Sequence, residues 1–231
     1  MTKTAILVDG GFYRRVSERL WGEKGPETRA LELYDYALKH ITAKRRQKIE
    51  PEKRELYRIF FYDCPPVSKA TVYHPLLKKN INFKPSDKSY KWSSAFHAKL
   101  AEQRKVALRM GEVVTENANY NLHPSVTKAL LAGKKRVEDL DEDDFHISFK
   151  QSGVDMRIGL DIASLAYGGI VDQIILISGD VDFVPAAKAA RRHGIDFVLD
   201  PMGQKIRDSL ICHADGIESF VDSPTTNPPS T

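Results

Sequence analysis

Short, wholly apolar runs punctuate this chain, and the clearest of them stop at acidic residues. Ala5-Ile6-Leu7-Val8 is followed at once by Asp9-Gly10-Gly11, and Ile174-Ile175-Leu176-Ile177 by Ser178-Gly179-Asp180-Val181-Asp182. Runs of this length without polar alternation mark strands buried on both faces, as in a parallel sheet. Between them the period changes. Leu31, Tyr34, Ala37, Leu38 and Ile41 fall on a helical stripe, as do Ile158, Ile162 and Leu165. The Ala-rich stretch from Asp182 to His193 reads as a helix capped by Gly194, and a further helix starts near Phe12. Leu56 to Tyr62 and Ile195 to Leu199 supply two more strands, the first turning at Asp63-Cys64-Pro65-Pro66. Strands alternating with helices predict an α/β fold, with a mainly parallel sheet and right-handed crossovers.

The pattern blurs between Val67 and Lys150. Phe96 to Leu108 reads as helix then extended chain, Arg109 to Val114 as a strand, and Asn117 to His123 as turn. The acidic block Glu138 to Asp144, after Lys134-Lys135-Arg136, reads as solvated loop rather than a metal site. This predicts one domain over 1–221 with an insertion around 67–149. The Pro- and Ser-rich stretch 222–231 has little to bury and is expected to be disordered.

Composition narrows the picture in a few ways. With 231 residues, 42% of them hydrophobic, the chain can bury one generous core. No apolar run approaches the ~20 residues needed to span a bilayer, and Met1-Thr2-Lys3-Thr4 leads straight into a strand, so a cytoplasmic protein with no membrane role is expected. Cys64 and Cys212 cannot form a disulfide framework or a zinc-like spacing, and both are expected as buried thiols. The net charge of +4 permits a polyanionic partner without demanding one.

The acidic positions carry the chemistry. A buried parallel strand delivers the residue after its carboxyl end to the crevice where open α/β sheets bind ligands. Asp9 and Asp180 stand at such ends, Asp182 lies two residues further on, and Asp155 follows Gly153-Val154 at the start of a helix. Asp161 lies six residues beyond Asp155, about 120° away around the helix axis, and is a more distant candidate. Each has a plainer alternative: Asp9 as a turn residue bonding its own backbone, Asp155 and Asp182 as helix N-caps. Three distant segments ending in Asp at one sheet edge favour a common cause. Gathered carboxylates repel unless a cation or shared protons compensate, and an oxygen-only donor set suits Mg²⁺ or Mn²⁺ over Zn²⁺. Such an ion eases loss of a proton from water and offsets charge on a transferred phosphate, so phosphodiester hydrolysis is the natural use.

Taken together, Val8-Asp9-Gly10-Gly11-Phe12, Gly153-Val154-Asp155-Met156-Arg157 through Leu160-Asp161, and Ile177-Ser178-Gly179-Asp180-Val181-Asp182-Phe183-Val184-Pro185 resemble the NYN domain of the PIN-like nuclease superfamily, in its LabA-like bacterial branch. The resemblance covers about 1–65 and 150–220. It implies a Rossmann-like, three-layer α/β/α architecture, a divalent-metal acidic cluster and ribonuclease-type hydrolysis. The family's acidic positions fall on Asp9, Asp155, Asp180 and Asp182, with Asp161 matching a recurrent aspartate. Many relatives carry a Gly-Asn pair soon after the first Asp, where this chain has Gly11 and Phe12.

Asp9 and Asp180 are thus expected as direct ligands, with Asp155 and Asp182 completing the site or positioning water. Lys150 and Arg157 flank Asp155 and are candidates for the scissile phosphate, with Ser178 as a hydroxyl donor. Basic clusters at Lys44-Arg45-Arg46 with Lys48, at Lys78-Lys79 and from Lys84 to Trp92 are candidates for holding nucleic acid, single-stranded RNA first. In the last of these, Lys88 and Lys91 are interleaved with Tyr90 and Trp92, on which bases would stack. Two other functions compete: a catalytically weak module that binds RNA or protein partners, and a phosphatase with Asp9 as nucleophile. Gly11 opposes the second, because it occupies the place of that scheme's general acid. Self-association through an exposed edge strand stays open.

Overall fold

A computed structural model describes residues 1–42 and 53–221, so the Lys44-Arg45-Arg46 and Lys48 cluster and the 222–231 tail lie outside the described residues. In chain order the elements are β1 (Thr2–Asp9), α1 (Gly10–Trp21), α2 (Pro26–Thr42), β2 (Arg54–Asp63), β3 (Ala70–His74), β4 (Lys79–Phe83), α3 (Lys88–Ala101), β5 (Val106–Met110) and β6 (Glu112–Leu122). They continue with α4 (Pro124–Leu131), β7 (Phe145–Ser152), α5 (Val154–Tyr167), β8 (Gln173–Ile177), α6 (Val184–Arg192), β9 (Asp196–Asp200), α7 (Asp208–Ile211) and β10 (Gly216–Ile217).

The described residues fall into two compact units. The first comprises Met1–Asp63, Ala95–Gly111 and the chain from Gly153 on; the second comprises Cys64–Ser94 and Glu112–Ser152. The stretch expected as an insertion, 67–149, therefore contributes to both, because the latter half of α3 and all of β5 belong to the first.

Unit one is built on a six-stranded sheet in the order β10-β9-β8-β1-β2-β5, with every pairing parallel. The sequence pattern required this. Ala5 to Val8 and Ile174 to Ile177 have no exposed surface, so β1 and β8 are buried on both faces. Side chains alternate between the two faces of a strand. Ala5, Leu7, Phe60, Tyr62, Ile174, Leu176, Phe197 and Leu199 pack with Ile158, Ile162 and Leu165 of α5 and with Ala187 and Ala190 of α6. The opposite face takes α1, α2 and the end of α3, where the rings of Phe61 and Phe96 meet at 5.5 Å. The strands end in register: Val8 is opposite Ile177, Ile177 opposite Asp200, and Asp9 opposite Tyr62. The acidic strand ends therefore share one edge, and the alternation decides which face each one meets.

Unit two is antiparallel. β3 and β4 form one hairpin and β6 pairs with β7, with a register irregularity between Val114 and Asn119. His74 stacks near Tyr120 and Phe145, with centroids 4.2 and 5.2 Å away, and Phe83 meets Phe149 at 5.1 Å. Two sequence expectations change here. Asn117 to His123 is not a turn but mostly strand, since cross-strand pairing with β7 overrides the local preference of its asparagines. The strand expected over Arg109 to Val114 is divided at Gly111, whose N–H is held by the Asp63 carbonyl at 2.7 Å, so β5 joins the parallel sheet and β6 leaves it. The acidic block forms two short 3-10 turns and is exposed except at half-buried Leu140 and buried Asp144, which Lys135 engages. Cys64 is buried as expected, but Cys212 is exposed because it caps the outward end of α7. Among the described residues no helix is long and apolar enough to cross a membrane.

One glycine fixes how β1 passes into α1. A Cβ on Gly10 would lie 2.6 Å from the Tyr62 carbonyl oxygen and 2.6 Å from the Phe61 ring, whereas one on Gly11 would have its nearest neighbour at 3.6 Å. What Gly10 permits is the close approach of α1 to β2. Gly10→Ala is expected to cost about 1–3 kcal/mol of stability in urea unfolding, as overpacking does, while Gly11→Ala leaves the midpoint nearly unchanged.

Candidate acidic centre

Asp9 ends β1 and caps α1. Its Oδ1 accepts from the Phe12 N–H at 3.0 Å, and its Oδ2 accepts from the Ser178 hydroxyl at 3.0 Å. Both contacts follow from strand alternation, which points Asp9 and Ser178 to the α5 and α6 face, as it does Leu7 and Leu176. Ser178 is fully buried, and its oxygen also accepts from the Asp180 N–H at 3.3 Å. Asp180 Oδ1 in turn accepts from the Asp182 N–H at 3.0 Å, capping the 3-10 turn Val181–Phe183 that leads into α6. A continuous set of bonds thus ties the end of β1 to the segment after β8. Asp155 reaches the same neighbourhood from the first turn of α5, which packs against the Val181–Phe183 turn.

The plainer alternatives resolve individually. Asp9 bonds its local backbone and still faces the other acids. Asp182 is not the cap, since Asp180 caps the 3-10 turn and Phe183 is the N-cap of α6, with no side-chain cap bond. Asp155 is not a cap either, because Gly153 holds that position with φ 77°.

The electrostatics agree with this placement. The Asp9 carboxyl is raised above its ordinary pKa, chiefly by burial and further by the charge of Asp180; the Phe12 and Ser178 hydrogen bonds and the charge of Arg15 oppose this. Asp155 is also raised, first by partial desolvation although solvent reaches it, then by the charges of Asp9, Asp180 and Asp182. One exposed carboxylate therefore feels three others contributed by two other segments of the chain.

Asp161 stands apart from this group. Its Oδ2 accepts from the Tyr62 hydroxyl at 2.8 Å and pairs with Arg109 Nε at 3.0 Å, and Arg109 lies over the Phe60 ring. Its charge is spent on holding α5 to β2 and β5, so it is not gathered with the other acids. Ser178 donates its proton to Asp9, so it orients that carboxylate. Arg157 turns back onto the Gly153 carbonyl at 3.0 Å and steadies the entry to α5. Lys150 is exposed on β7 of unit two, opposite Val114. Lys88 and Lys91 are exposed and Trp92 is half-buried on the first turns of α3, also in unit two. Their spacing puts Lys88, Lys91 and Trp92 on one helical face.

Sequence reasoning missed two further acids. Asp63, at the end of β2, pairs with Arg14 at 2.9 Å and His97 at 2.9 Å. Asp200, at the end of β9, accepts from the Tyr36 hydroxyl at 2.6 Å and meets His40 Nε2 at 2.8 Å. Both carry the same signal as Asp9, an apolar strand ending in Asp, but alternation turns them to the α1 and α2 face. Arg15, whose charge reaches Asp9, was also missed; it is exposed one turn into α1.

The carboxylates suit an oxygen-preferring cation in a particular way. Among the described residues no trio of His, Cys, Asp or Glu side chains is arranged to clasp a metal directly. Asp9 and Asp180, expected as direct ligands, and Asp155 and Asp182, expected to complete the site, therefore do not form a preassembled ligand set among the described residues, and Asp161 is engaged by Tyr62 and Arg109 instead. The donor chemistry fits Mg²⁺ or Mn²⁺ held by one or two carboxylates and otherwise hydrated, the usual manner of Mg²⁺.

The raised proton affinity of Asp9 has a definite sign. Between the ordinary carboxylate range and the raised value the folded state binds more protons than the unfolded one, so stability falls as pH rises through that window. Asp9→Asn keeps a capping side chain and removes the charge. It is expected to be more stable than wild type at pH 7, with the advantage shrinking as pH is lowered through the window in urea titrations.

Comparison with known proteins bears on this centre. The family model of the NYN domain matches residues 79–217, more than half of the chain, and includes Asp155, Asp161, Asp180 and Asp182 while starting beyond Asp9. No curated protein matches. A crystal structure of a Vibrio parahaemolyticus protein of unknown function is similar at a TM-score of 0.50 and 15% identity, covering 96% of this chain and 94% of that one, a likeness of fold alone. The sheet with its flanking helices and the matched residues lead to one conclusion: the chain belongs to the NYN domain family, within the PIN-like nuclease superfamily.

Proposed function

We propose that this nuclease-like module is a divalent-cation-dependent endonuclease acting on single-stranded RNA. The observation that carries the reading is the mutual field of Asp9, Asp155, Asp180 and Asp182 at the carboxyl edge of a parallel sheet. An acidic group of this kind, partly desolvated and, among the described residues, without a salt bridge within it, favours a bound cation. In this reading Asp9 and Asp180 would hold Mg²⁺ or Mn²⁺, with Asp155 and Asp182 completing the site. When bound, the cation would supply the positive charge that offsets the developing charge on the phosphate and eases deprotonation of the attacking water.

The chain's own groups have defined tasks. The Phe12 N–H and the Ser178 hydroxyl fix both oxygens of Asp9, so that carboxylate meets its ligand without first losing rotational freedom. Asp155, exposed and with raised proton affinity, is placed to take a proton from water at a carboxylate oxygen. Arg15 is the cation nearest in effect to Asp9 and is suited to hold a phosphate oxygen. Lys88, Lys91, Trp92 and Lys150 are the proposed contacts of unit two with the strand.

One observation favours a second reading. The lack of a ready-made trio of ligands among the described residues would also suit a catalytically weak module that binds RNA or a protein partner.

Two measurements separate these readings. Labelled single-stranded RNA is expected to be cut by wild type in Mg²⁺ or Mn²⁺ but not in EDTA, with Asp180→Asn slower by about a hundredfold or more, the scale for loss of a charge-stabilising group. Binding without cleavage under any cation would leave only the second reading. Independently of activity, Mn²⁺ is expected to raise the thermal midpoint of wild type, and this shift is expected to vanish in a double Asp9→Asn, Asp180→Asn variant.

A further inference from the structure

Unit one carries a second charged feature, at the opposite edge of its sheet. A cleft of about 700 Å³ lies where α6 ends and β9 begins, lined by Lys188, Arg191, Arg192, Asp196, His213 and Asp215 along with the intervening turn. Lys188, Arg191 and Arg192 follow i, i+3, i+4 spacing and so share one helix face. The two acids do not neutralise them evenly. Asp196 accepts from the Gln173 amide, and Asp215 accepts from the Phe197 N–H at 2.9 Å and pairs with Arg191 at 2.8 Å. Lys188 and Arg192 are exposed and, among the described residues, have no acidic partner. The field in the cleft is positive: His213 is held below its ordinary pKa by burial and by the charges of Lys188 and Arg191.

Position gives the charge a use. α6 starts just after Asp182 and runs for nine residues to the cleft, about 14 Å at 1.5 Å per residue. One helix, with its outer face exposed, therefore links the acidic edge to the basic one. The cleft's cations are exposed and, among the described residues, no Phe, Tyr or Trp lines it, so it suits an extended anion running past rather than an enclosed base.

We propose that this cleft is a second contact for the sugar-phosphate backbone of a nucleic-acid strand, remote from the carboxylates. The proposal rests on the reading of the protein as one that acts on nucleic acid. Lys188 and Arg192 each meet a backbone phosphate, and the His213 ring offers a hydrogen bond beside them. Contacts of this kind position a strand without reading its sequence.

The test is binding of a fluorescently labelled single-stranded RNA to the full chain in EDTA across a salt series, so that cleavage does not enter. Lys188→Gln with Arg192→Gln is expected to weaken binding about tenfold at low salt and to reduce the salt slope by about 1.4, two phosphates at ~0.7 each. A charge-matched pair elsewhere, Lys39→Gln with Arg104→Gln, is expected to change the slope by less than half as much. Circular dichroism checks that both variants are folded, which the exposure of all four positions favours. Equal slopes for the two variants, or tight binding of adenosine monophosphate that competes fully with the oligonucleotide, would overturn the proposal. Wild type that cuts RNA while the cleft variant binds it normally removes this inference alone; a cleft-dependent slope without cleavage under any cation removes the nuclease reading alone.

Discussion

Holding several carboxylates within one another's fields costs free energy, and the rest of unit one is arranged to meet that cost. Asp9 cannot turn away, because one oxygen is fixed by the α1 amide that it caps and the other by a buried serine. Ser178 cannot turn away either, since it closes the β8 strand and has no exposed surface. Asp180 is held by capping the turn that starts α6. Asp9 and Asp180 are therefore retained by local hydrogen bonds that the chain needs in any case, and the repulsion is carried by the stability of six paired strands. A partly desolvated group so constrained relaxes in two ways, by taking up a proton or by gaining a cation. The raised proton affinities of Asp9 and Asp155 register the first tendency.

Much of unit one could be read from the sequence, because its signals are local and repeated. Fully apolar strands, a change of period between them and glycines at the joints identify a parallel α/β sheet without reference to distant contacts. The gathering of Asp9, Asp155, Asp180 and Asp182 was legible for the same reason. What the pattern of strand ends does not state is the face. Asp9 and Asp63 both close apolar strands, yet they differ in parity along β1 and β2, so one meets the acids of α5 and α6 while the other is paired with Arg14 and His97. Counting alternation from the buried residues would have separated them. Asp161 was misjudged on other grounds: a helix wheel gives its azimuth, but not the guanidinium of Arg109 arriving from β5 more than fifty residues earlier.

Unit two resisted the same reading. Its strands are half-exposed and polar, and β6 runs through asparagines that favour turns, so only pairing with β7 makes it a strand. Nothing local announces such pairing. The residues singled out there nonetheless acquire a shared geometry, since Lys88, Lys91 and Trp92 begin one helix and face one way.

A net charge of +4 says little about such a molecule, because within unit one Asp9, Asp180 and Asp182 lie at the carboxyl edge of the sheet and Lys188, Arg191 and Arg192 at its other edge. Parallel strands make this sorting possible. All of their carboxyl ends lie at one edge and all of their starts at the other, so an acid placed after a strand and a base placed at the end of the following helix are separated by the length of an element. α6 shows the principle in nine residues, with Asp180 and Asp182 just before it and Lys188, Arg191 and Arg192 in its second half. The arrangement also agrees with the helix's own polarity, which favours anions at its start and cations at its end. For a polyanion approaching this surface, the acidic edge alone would be repulsive. A basic region within one helix length offsets that repulsion, and under the proposed function a cation bound at the carboxylates would convert the acidic edge itself from a barrier into a contact.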